Sequence, residues 1–210
     1  MSLNNHKIQT GELEVIYNGQ TAPTLTSNGT FRTRAKVGHP APTFTMKTTA
    51  NLATLESTAS LEDYRGKWLI LFFYPLDFTF VCPTEILALS NRYEEFAEAG
   101  ADILGVSTDS VFSHRAWINT PREQNGIAGL NYPLASDITK EVSRAFGVLV
   151  EAEGVALRGL FIIDPEGVLQ YSVVHNLNVG RSVDETLRVL EALQTGGLCS
   201  ADWQPGDQNL

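Results

Sequence analysis

The sequence is poor in cysteine and in long apolar runs, and each shortage excludes a class of protein. It holds 2 cysteines in 210 residues, too few for a disulfide-rich scaffold. No CxxC pair occurs, and the 4 histidines are scattered, so we expect no structural metal. The longest apolar stretch, "WLILFFY" at 68–74, is much shorter than the ~18 residues of a membrane span. We therefore expect no membrane-spanning helix.

Positive charge is also scarce. The chain carries 15 basic and 24 acidic residues, for a net charge of −9. Such a protein is repelled by duplex nucleic acid and by anionic membrane surfaces, so we expect neither as a partner. The opening "MSLNNHKIQTGE" has no basic segment followed by an apolar one, and therefore does not resemble a secretory signal. We expect a cytoplasmic protein.

Composition predicts one globular domain with two polar ends. Hydrophobic residues make up 43% of the chain and charged residues 19%, which is typical of a domain with a sizeable core. Residues 1–35 are polar and lack periodicity, so we expect a flexible arm. Residues 36–195 form the predicted domain, and residues 196–210 form a Gly- and Pro-rich tail that carries the second cysteine.

Strand-length apolar runs alternate with helical patterns through the predicted domain. The run at 68–75 is typical of a strand buried on both faces, and Ile86 to Phe96 predict one helix. Ser182 and Glu185 form a predicted capping box. Further strands are expected within 101–109 and 131–137, a hairpin within 157–176, and helices within 110–120, 138–147 and 182–193. The alternation favours an α/β fold with a central mixed sheet and helices on both faces.

The first cysteine, Cys82, lies between the buried strand and a helix, and Pro83 suits the first helical turn. A free thiol is only a few per cent ionised at pH 7, and lowering its pKa by about 2 units corresponds to roughly 2.7 kcal/mol. A helix N-terminus supplies about 0.3–1 kcal/mol of that. A reactive thiolate here therefore needs a nearby cation, and an arginine is suitable because it stays charged.

The residues alone leave several interpretations open. Cys82 is either a reactive thiol or a small buried hydrophobe. Cys199 is either its partner or an inert surface thiol. A Cys–His hydrolase would need His114 or His175 as a base, although neither lies in a segment that suggests one.

Four segments resemble the typical 2-Cys peroxiredoxins, the group of alkyl hydroperoxide reductase C and the thioredoxin peroxidases. "FYPLDFTFVCPTE" at 73–85 is similar to their active-site loop, with its pattern Pro-x-x-x-Thr-x-x-Cys. The segments "AWINTPR" at 116–122, "RGLFIID" at 158–164 and "VGRSVDETLR" at 179–188 match in the same order, as does a late Cys followed by "ADWQPG". The resemblance covers residues 37–206 and implies a thioredoxin-like fold with peroxidase chemistry.

The resemblance implies a role for each matching residue. Cys82 is the expected peroxidatic thiolate, Arg158 holds it and polarises the leaving oxygen, and Thr79 supplies a hydroxyl. Pro75 is expected to shield the sulfenic acid from water. Glu85 and Arg181 are expected to orient Arg158. Taken singly, Thr79 could be only a helix cap, and the charged residues only surface ion pairs.

The resemblance also implies partners. Cys199 of a second subunit is expected to condense with the Cys82 sulfenic acid, giving an intersubunit disulfide. Thioredoxin or a flavoprotein-linked reductant then restores both thiols, with no metal or bound cofactor. "VLQYSVVHN" at 168–176 resembles the strand that pairs family subunits into a homodimer, and many members assemble five dimers into a decamer. The alternative function is a chaperone or holdase ring on the same scaffold.

The chain departs from oxidation-sensitive family members in two places. Residues 125–128 read Asn-Gly-Ile-Ala instead of Gly-Gly-Leu-Gly, and the chain ends eleven residues after Cys199 without the Tyr-Phe helix of those members. We therefore expect a robust enzyme, in which disulfide formation outruns overoxidation. "LCSADW" replaces the usual Val-Cys-Pro, and the polar arm is longer than the family norm.

Overall fold

A seven-stranded mixed sheet forms the centre of the molecule. The computed structural model describes the backbone of residues 16–17 and 20–21 and the whole of residues 35–210. The strand order is β11-β10-β5-β6-β7-β3-β4, with β5, β6 and β7 parallel and the other pairs antiparallel. The strands are β3 (Thr45–Thr48), β4 (Thr58–Ser60), β5 (Trp68–Phe73), β6 (Ala101–Ser107), β7 (Leu134–Ser136), β10 (Arg158–Ile163) and β11 (Leu169–His175).

Two short hairpins lie outside this sheet. They pair β1 (Ile16–Tyr17) with β2 (Gln20–Thr21), and β8 (Leu149–Val150) with β9 (Val155–Ala156). Most of the predicted flexible arm at 1–35 lies outside the described residues. The boundaries after residues 35 and 195 stay predictions.

Helices cover both faces of the sheet, as predicted. The described residues form α1 (Cys82–Asn91), α2 (Tyr93–Glu98), α3 (Val111–Ile118), α4 (Glu141–Ala145) and α5 (Val183–Gln194), with 3₁₀ turns at Leu61–Tyr64 and Arg122–Gln124. Successive residues of β5 point to opposite faces. Leu69 and Leu71 pack on the side of α4, whereas Ile70 and Phe72 pack on the side of the other four helices.

The helix predicted across Ile86 to Phe96 is wrong in one respect, because it is broken at Arg92. This residue has φ −112° and ψ 16°, and its N–H donates to Leu89 rather than continuing the helical ladder. Neither Gly nor Pro lies at the break, so the sequence pattern does not mark it.

Of the two hydrogen bonds in the capping box predicted for α5, only the one accepted by the Ser182 side chain forms. The Ser182 hydroxyl accepts from the backbone N–H of Glu185 at 3.1 Å. The Glu185 carboxylate pairs with Arg188 at 2.6 and 2.8 Å, an ion pair one turn along the same helix. The Glu185 carboxylate therefore takes part in an ion pair within α5 and not in the cap.

Candidate active site

Cys82 is the first residue of α1 and is fully buried, with 0% of its surface exposed. The N-cap residue is Val81, which has no side chain able to cap the helix. Cys82 therefore lies in the first turn of α1, at the positive end of the helix dipole. Arg158 adds a full charge, since its Nη1 donates to the Cys82 Sγ at 3.4 Å.

The sheet register explains how Arg158 reaches a residue 76 positions earlier in the chain. β10 runs antiparallel to β5 and pairs Leu160 with Phe72. The first residue of β10, Arg158, is thereby brought to the carboxyl end of β5, where the chain turns towards Cys82. Its side chain is 4% exposed, and its Nε donates to the Leu177 carbonyl at 2.8 Å, which fixes the guanidinium plane.

Glu85 lies one helical turn after Cys82 and is held by two arginines. Its Oε2 accepts from Arg158 Nη1 at 2.6 Å, and its Oε1 accepts from both the Nε and the backbone N–H of Arg181 at 2.8 Å. Burial alone would raise the pKa of this carboxyl, but the Arg181 and Arg158 charges and hydrogen bonds outweigh it, so the pKa of Glu85 lies below its ordinary value. Glu85 is therefore a buried anion bonded to both arginines.

Arg181 joins this cluster to the sheet. Its Nη1 donates to the carbonyls of Phe73, at 2.9 Å, and Gly159, and its guanidinium carbon lies 5.3 Å from the centre of the Phe72 ring. All three charged side chains are at most 5% exposed. They are therefore buried in the site, which excludes the alternative that they are surface ion pairs.

Thr79 and Pro75 lie on the irregular segment between β5 and α1. The Thr79 hydroxyl donates to the Leu76 carbonyl at 3.0 Å. Because α1 begins at Cys82 with Val81 as its N-cap, Thr79 is not a helix cap. Pro75 is buried two residues after the end of β5.

Cys199 lies in the tail with a separate set of neighbours. Its Sγ lies 3.5 Å from the Thr195 hydroxyl, and 3.6 Å from both the Ala192 carbonyl oxygen and the Asn209 Oδ1. Both cysteines are free. The structure thus joins Cys82, Glu85, Arg158 and Arg181 in one bonded cluster, and Cys199 is bonded elsewhere.

A buried polar network next to the site was missed by sequence reasoning. The Asp77 carboxylate accepts from Tyr74 at 2.9 Å and from Ser113 at 2.7 Å, and lies 2.8 Å from the Nδ1 of His114. Burial, together with the Asp77 charge, raises the pKa of Tyr74 well above its ordinary value. The network anchors the start of the segment between β5 and α1. No local sequence pattern could have suggested it, because His114 lies 37 positions after Asp77.

The histidine contacts count against a Cys–His hydrolase. The Nε2 of His114 lies 3.2 Å from the Ala135 carbonyl, so both of its ring nitrogens face groups other than Cys82. His175 lies on β11 with its Nδ1 3.3 Å from the Gly180 carbonyl. In the described part of the chain, the cation bonded to Cys82 is an arginine.

The described residues contain neither a cluster of metal-binding side chains nor a membrane-spanning helix. Nowhere in the described ranges do three or more His, Cys, Asp or Glu side chains cluster as a metal would require. None of the described helices is both long and apolar enough to cross a membrane. A cavity of about 580 Å³ between β3, α3 and α4 is lined by none of the predicted site residues.

The protein has a mixed sheet with helices on both faces, and a buried thiol bonded to an arginine at a helix N-terminus. This combination is the one expected of a thioredoxin-like redox protein. The model of the AhpC/TSA family matches residues 37–172. A Clostridium pasteurianum protein of the rubredoxin operon, described as a peroxiredoxin, is 59% identical over 83% of this chain and 98% of its own. A chloroplastic 2-Cys peroxiredoxin of Spinacia oleracea is 51% identical over 88% of this chain and 73% of its own.

Solved structures agree with these relatives. The reduced 2-Cys peroxiredoxin of Plasmodium vivax superposes with a TM-score of 0.79 at 40% identity, covering 83% of this chain and 92% of that one. The chain belongs to the AhpC/TSA family of peroxiredoxins. It is a thiol-dependent peroxidase with a thioredoxin-like fold, and the alternative of a chaperone ring is not favoured.

Proposed function

We propose that Cys82 is the peroxidatic residue and that it reduces hydrogen peroxide and organic hydroperoxides. The single observation that carries this proposal is the 3.4 Å bond from Arg158 Nη1 to the Cys82 sulfur, in a fully buried setting. The cluster contains two arginines and one glutamate, so an ionised Cys82 brings its net charge to zero. A buried charge is tolerated when it is paired in this way.

The proposed first step is a displacement at oxygen. The sulfur anion forms a bond to one peroxide oxygen, the O–O bond breaks, and the departing oxygen takes up a proton as water or an alcohol. Arg158 is positioned beside the sulfur, where a guanidinium stabilises the charge that develops on the leaving oxygen. Thr79 contributes its hydroxyl, and Pro75 limits access of water to the sulfenic acid.

The proposed second step uses Cys199 of the partner subunit. Its S–H and the Cys82 S–OH combine to a disulfide with loss of water. Because Cys82 is 0% exposed, the segment leading to it has to unwind before the two sulfurs meet. A dithiol reductant, thioredoxin or a flavoprotein-linked disulfide reductase, then restores both thiols by exchange.

We further propose a cytoplasmic homodimer, with five dimers forming a decamer. In the described sheet β11 is an edge strand, and an edge offers unpaired backbone groups to a second copy. Light scattering of the reduced protein tests the assembly. A monomer at micromolar concentration contradicts it.

The peroxidase proposal is tested with equimolar hydrogen peroxide and a non-reducing gel. We expect wild type to consume the peroxide and to run as a covalent dimer. Cys82→Ser should consume none, whereas Cys199→Ser should consume one equivalent without forming the dimer. A wild-type chain that stays monomeric on the gel and leaves peroxide untouched would contradict the proposal.

A further inference from the structure

The active-site segment, residues 75–81, is folded under strain. Phe78 has φ +55°, a left-handed conformation that is unfavourable for a bulky side chain. Leu76 is 40% exposed, Phe78 48% and Phe80 88%, so apolar burial contributes little to holding the segment. Apart from the Phe78 ring, whose centre lies 5.8 Å from that of Trp117, the conformation of the segment therefore depends on a few polar contacts with the rest of the domain.

Three side chains outside the segment bond to its backbone. One of them, the Thr84 hydroxyl, donates to the Val81 carbonyl at 2.6 Å, where the segment joins α1. The other two hold the irregular part. The Asp109 carboxylate accepts from the Asp77 N–H at 2.9 Å, which fixes the first half. The Asn125 amide donates to the Thr79 carbonyl at 2.8 Å, which fixes the second half. Among residues 35–210, Asn125 makes the only side-chain bond of this kind to residues 78–80.

The position of Asn125 is itself fixed by its own backbone. Asn125 has φ +60° and ψ 27°, a left-handed conformation that asparagine tolerates. Its carbonyl accepts from the Trp117 Nε1 at 2.8 Å. The next residue, Gly126, approaches so closely that an added Cβ would lie 1.9 Å from the Thr120 carbonyl oxygen. The amide is thereby held on a rigid turn and aimed at Thr79.

We propose that Asn125 is a positioning residue that holds the active-site segment folded and so sets how fast Cys82 is released to Cys199. This inference rests on the proposed function of the two cysteines. Two reactions compete for the Cys82 sulfenic acid. Condensation with the Cys199 thiol releases water and gives the disulfide, and a second hydroperoxide oxidises it to the sulfinic acid with release of an alcohol or water. The first reaction needs the segment to unwind, and Asn125 slows that step.

The test separates the two steps by rapid mixing with equimolar hydrogen peroxide, followed by acid quench and mass spectrometry. Asn125→Gly keeps the left-handed backbone and removes the amide. Asn125→Asp keeps a side chain of the same shape without an N–H donor. Loss of one exposed hydrogen bond should raise the disulfide-forming rate about two- to five-fold in both variants, with the rate of peroxide consumption unchanged.

Lys140→Gly is the matched control, because Lys140 also has a left-handed φ of +64° and contacts none of the site residues. Its disulfide-forming rate should equal that of wild type. Amide hydrogen exchange in residues 76–82 should be faster in both Asn125 variants and unchanged in the control. A larger excess of peroxide should leave less sulfinic acid in the Asn125 variants than in wild type.

The outcomes are distinguishable from failure of the proposed function. If the wild-type Cys82 does not react with peroxide, the proposed function is wrong. If it does react, but both Asn125 variants form the disulfide at the wild-type rate, the positioning role is wrong. A fall in both rates in the two variants also contradicts it, since it would indicate general damage to the site.

Discussion

Cys82 and Cys199 are the same side chain in opposite surroundings. Cys82 is buried at the positive end of α1, and the group bonded to its sulfur is a guanidinium. Cys199 is partly exposed and follows the negative end of α5, where its neighbours are a hydroxyl, a backbone carbonyl and an amide oxygen. A cationic donor and a helix N-terminus lie beside the Cys82 sulfur, whereas the Cys199 sulfur lies among groups that can accept a hydrogen bond from its S–H.

The two surroundings also differ in how they are assembled. The Cys82 cluster joins α1, β10 and the loop before α5 through Glu85, so residues from distant parts of the chain depend on one another. The Cys199 set is local, within residues 192–210, and is closed by the N–H of Leu210, which donates to the Leu198 carbonyl at 2.8 Å. The first arrangement depends on the packing of the sheet against α1, whereas the second involves only the end of α5 and the tail.

Replacing the cation beside Cys82 should have the largest effect. In Arg158→Met the sulfur and the leaving oxygen lose their charged donor, so we expect peroxide consumption to slow about 100- to 1000-fold. Stopped-flow measurement of peroxide loss checks this. Arg65→Lys, a change at an exposed ion pair with Glu62, is the control and should leave the rate unchanged. A decrease of less than about three-fold in Arg158→Met would show that the guanidinium is not needed.

Removing the anion of the cluster should mainly affect stability. Glu85→Gln leaves two buried guanidiniums without their carboxylate, and we expect the free energy of unfolding to fall by about 3 kcal/mol at pH 7. Urea unfolding measures it. Glu95→Gln is the control, because it removes an exposed ion pair with Arg92. It should leave the stability close to that of wild type.

The difference in unfolding free energy between wild type and Glu85→Gln should depend on pH, and the pKa of Glu85 sets its direction. The folded pKa of Glu85 lies below its ordinary value of 4.5, so the unfolded chain takes up the proton first as the pH falls. The stabilisation is present in full above the ordinary value and is lost as the pH falls through the lower folded one. The gap between wild type and Glu85→Gln should therefore narrow below about pH 4.5. A gap that widens on acidification would contradict the ion-pair explanation.

The smallest effect is expected at Cys199. Asn209→Ala removes one weak acceptor from the thiol, so we expect iodoacetamide to alkylate Cys199 about twice as fast in a Cys82→Ser background. Gln208→Ala, at the exposed neighbouring position, is the control and should react like the parent. Equal rates in all three proteins would mean that the tail does not restrain the thiol.

Much of the fold could be predicted from the sequence because its cues are local. The unbroken apolar run at 68–73 is a strand buried on both faces, and "DPEG" does join β10 to β11. The break in the first helix at Arg92 could not be predicted, since it has no local marker. The paired strand β4 was also missed, because its three residues carry too little pattern.

Local cues in the sequence likewise place some residues of the candidate site and not others. Cys82 could be placed at a helix N-terminus from the sequence, because the strand, Pro83 and the helical spacing lie next to it. Glu85 and Arg158 were named from a resemblance, and periodicity could not have joined them because they lie 73 positions apart. From the sequence, Asn125 is only a departure from a family motif. Its bond to Thr79 could not be predicted, because the two residues lie 46 positions apart.

The sequence by itself determined most of the helices and strands and the family, because hydrophobic period, turn residues and motif order are read along the chain. Only the tertiary structure decided which charges surround each sulfur. Antiparallel pairing of β10 with β5 brings Arg158 to Cys82, and the fold buries both, so that a bond weak in water becomes strong. The contrast between the two cysteines arises from that pairing.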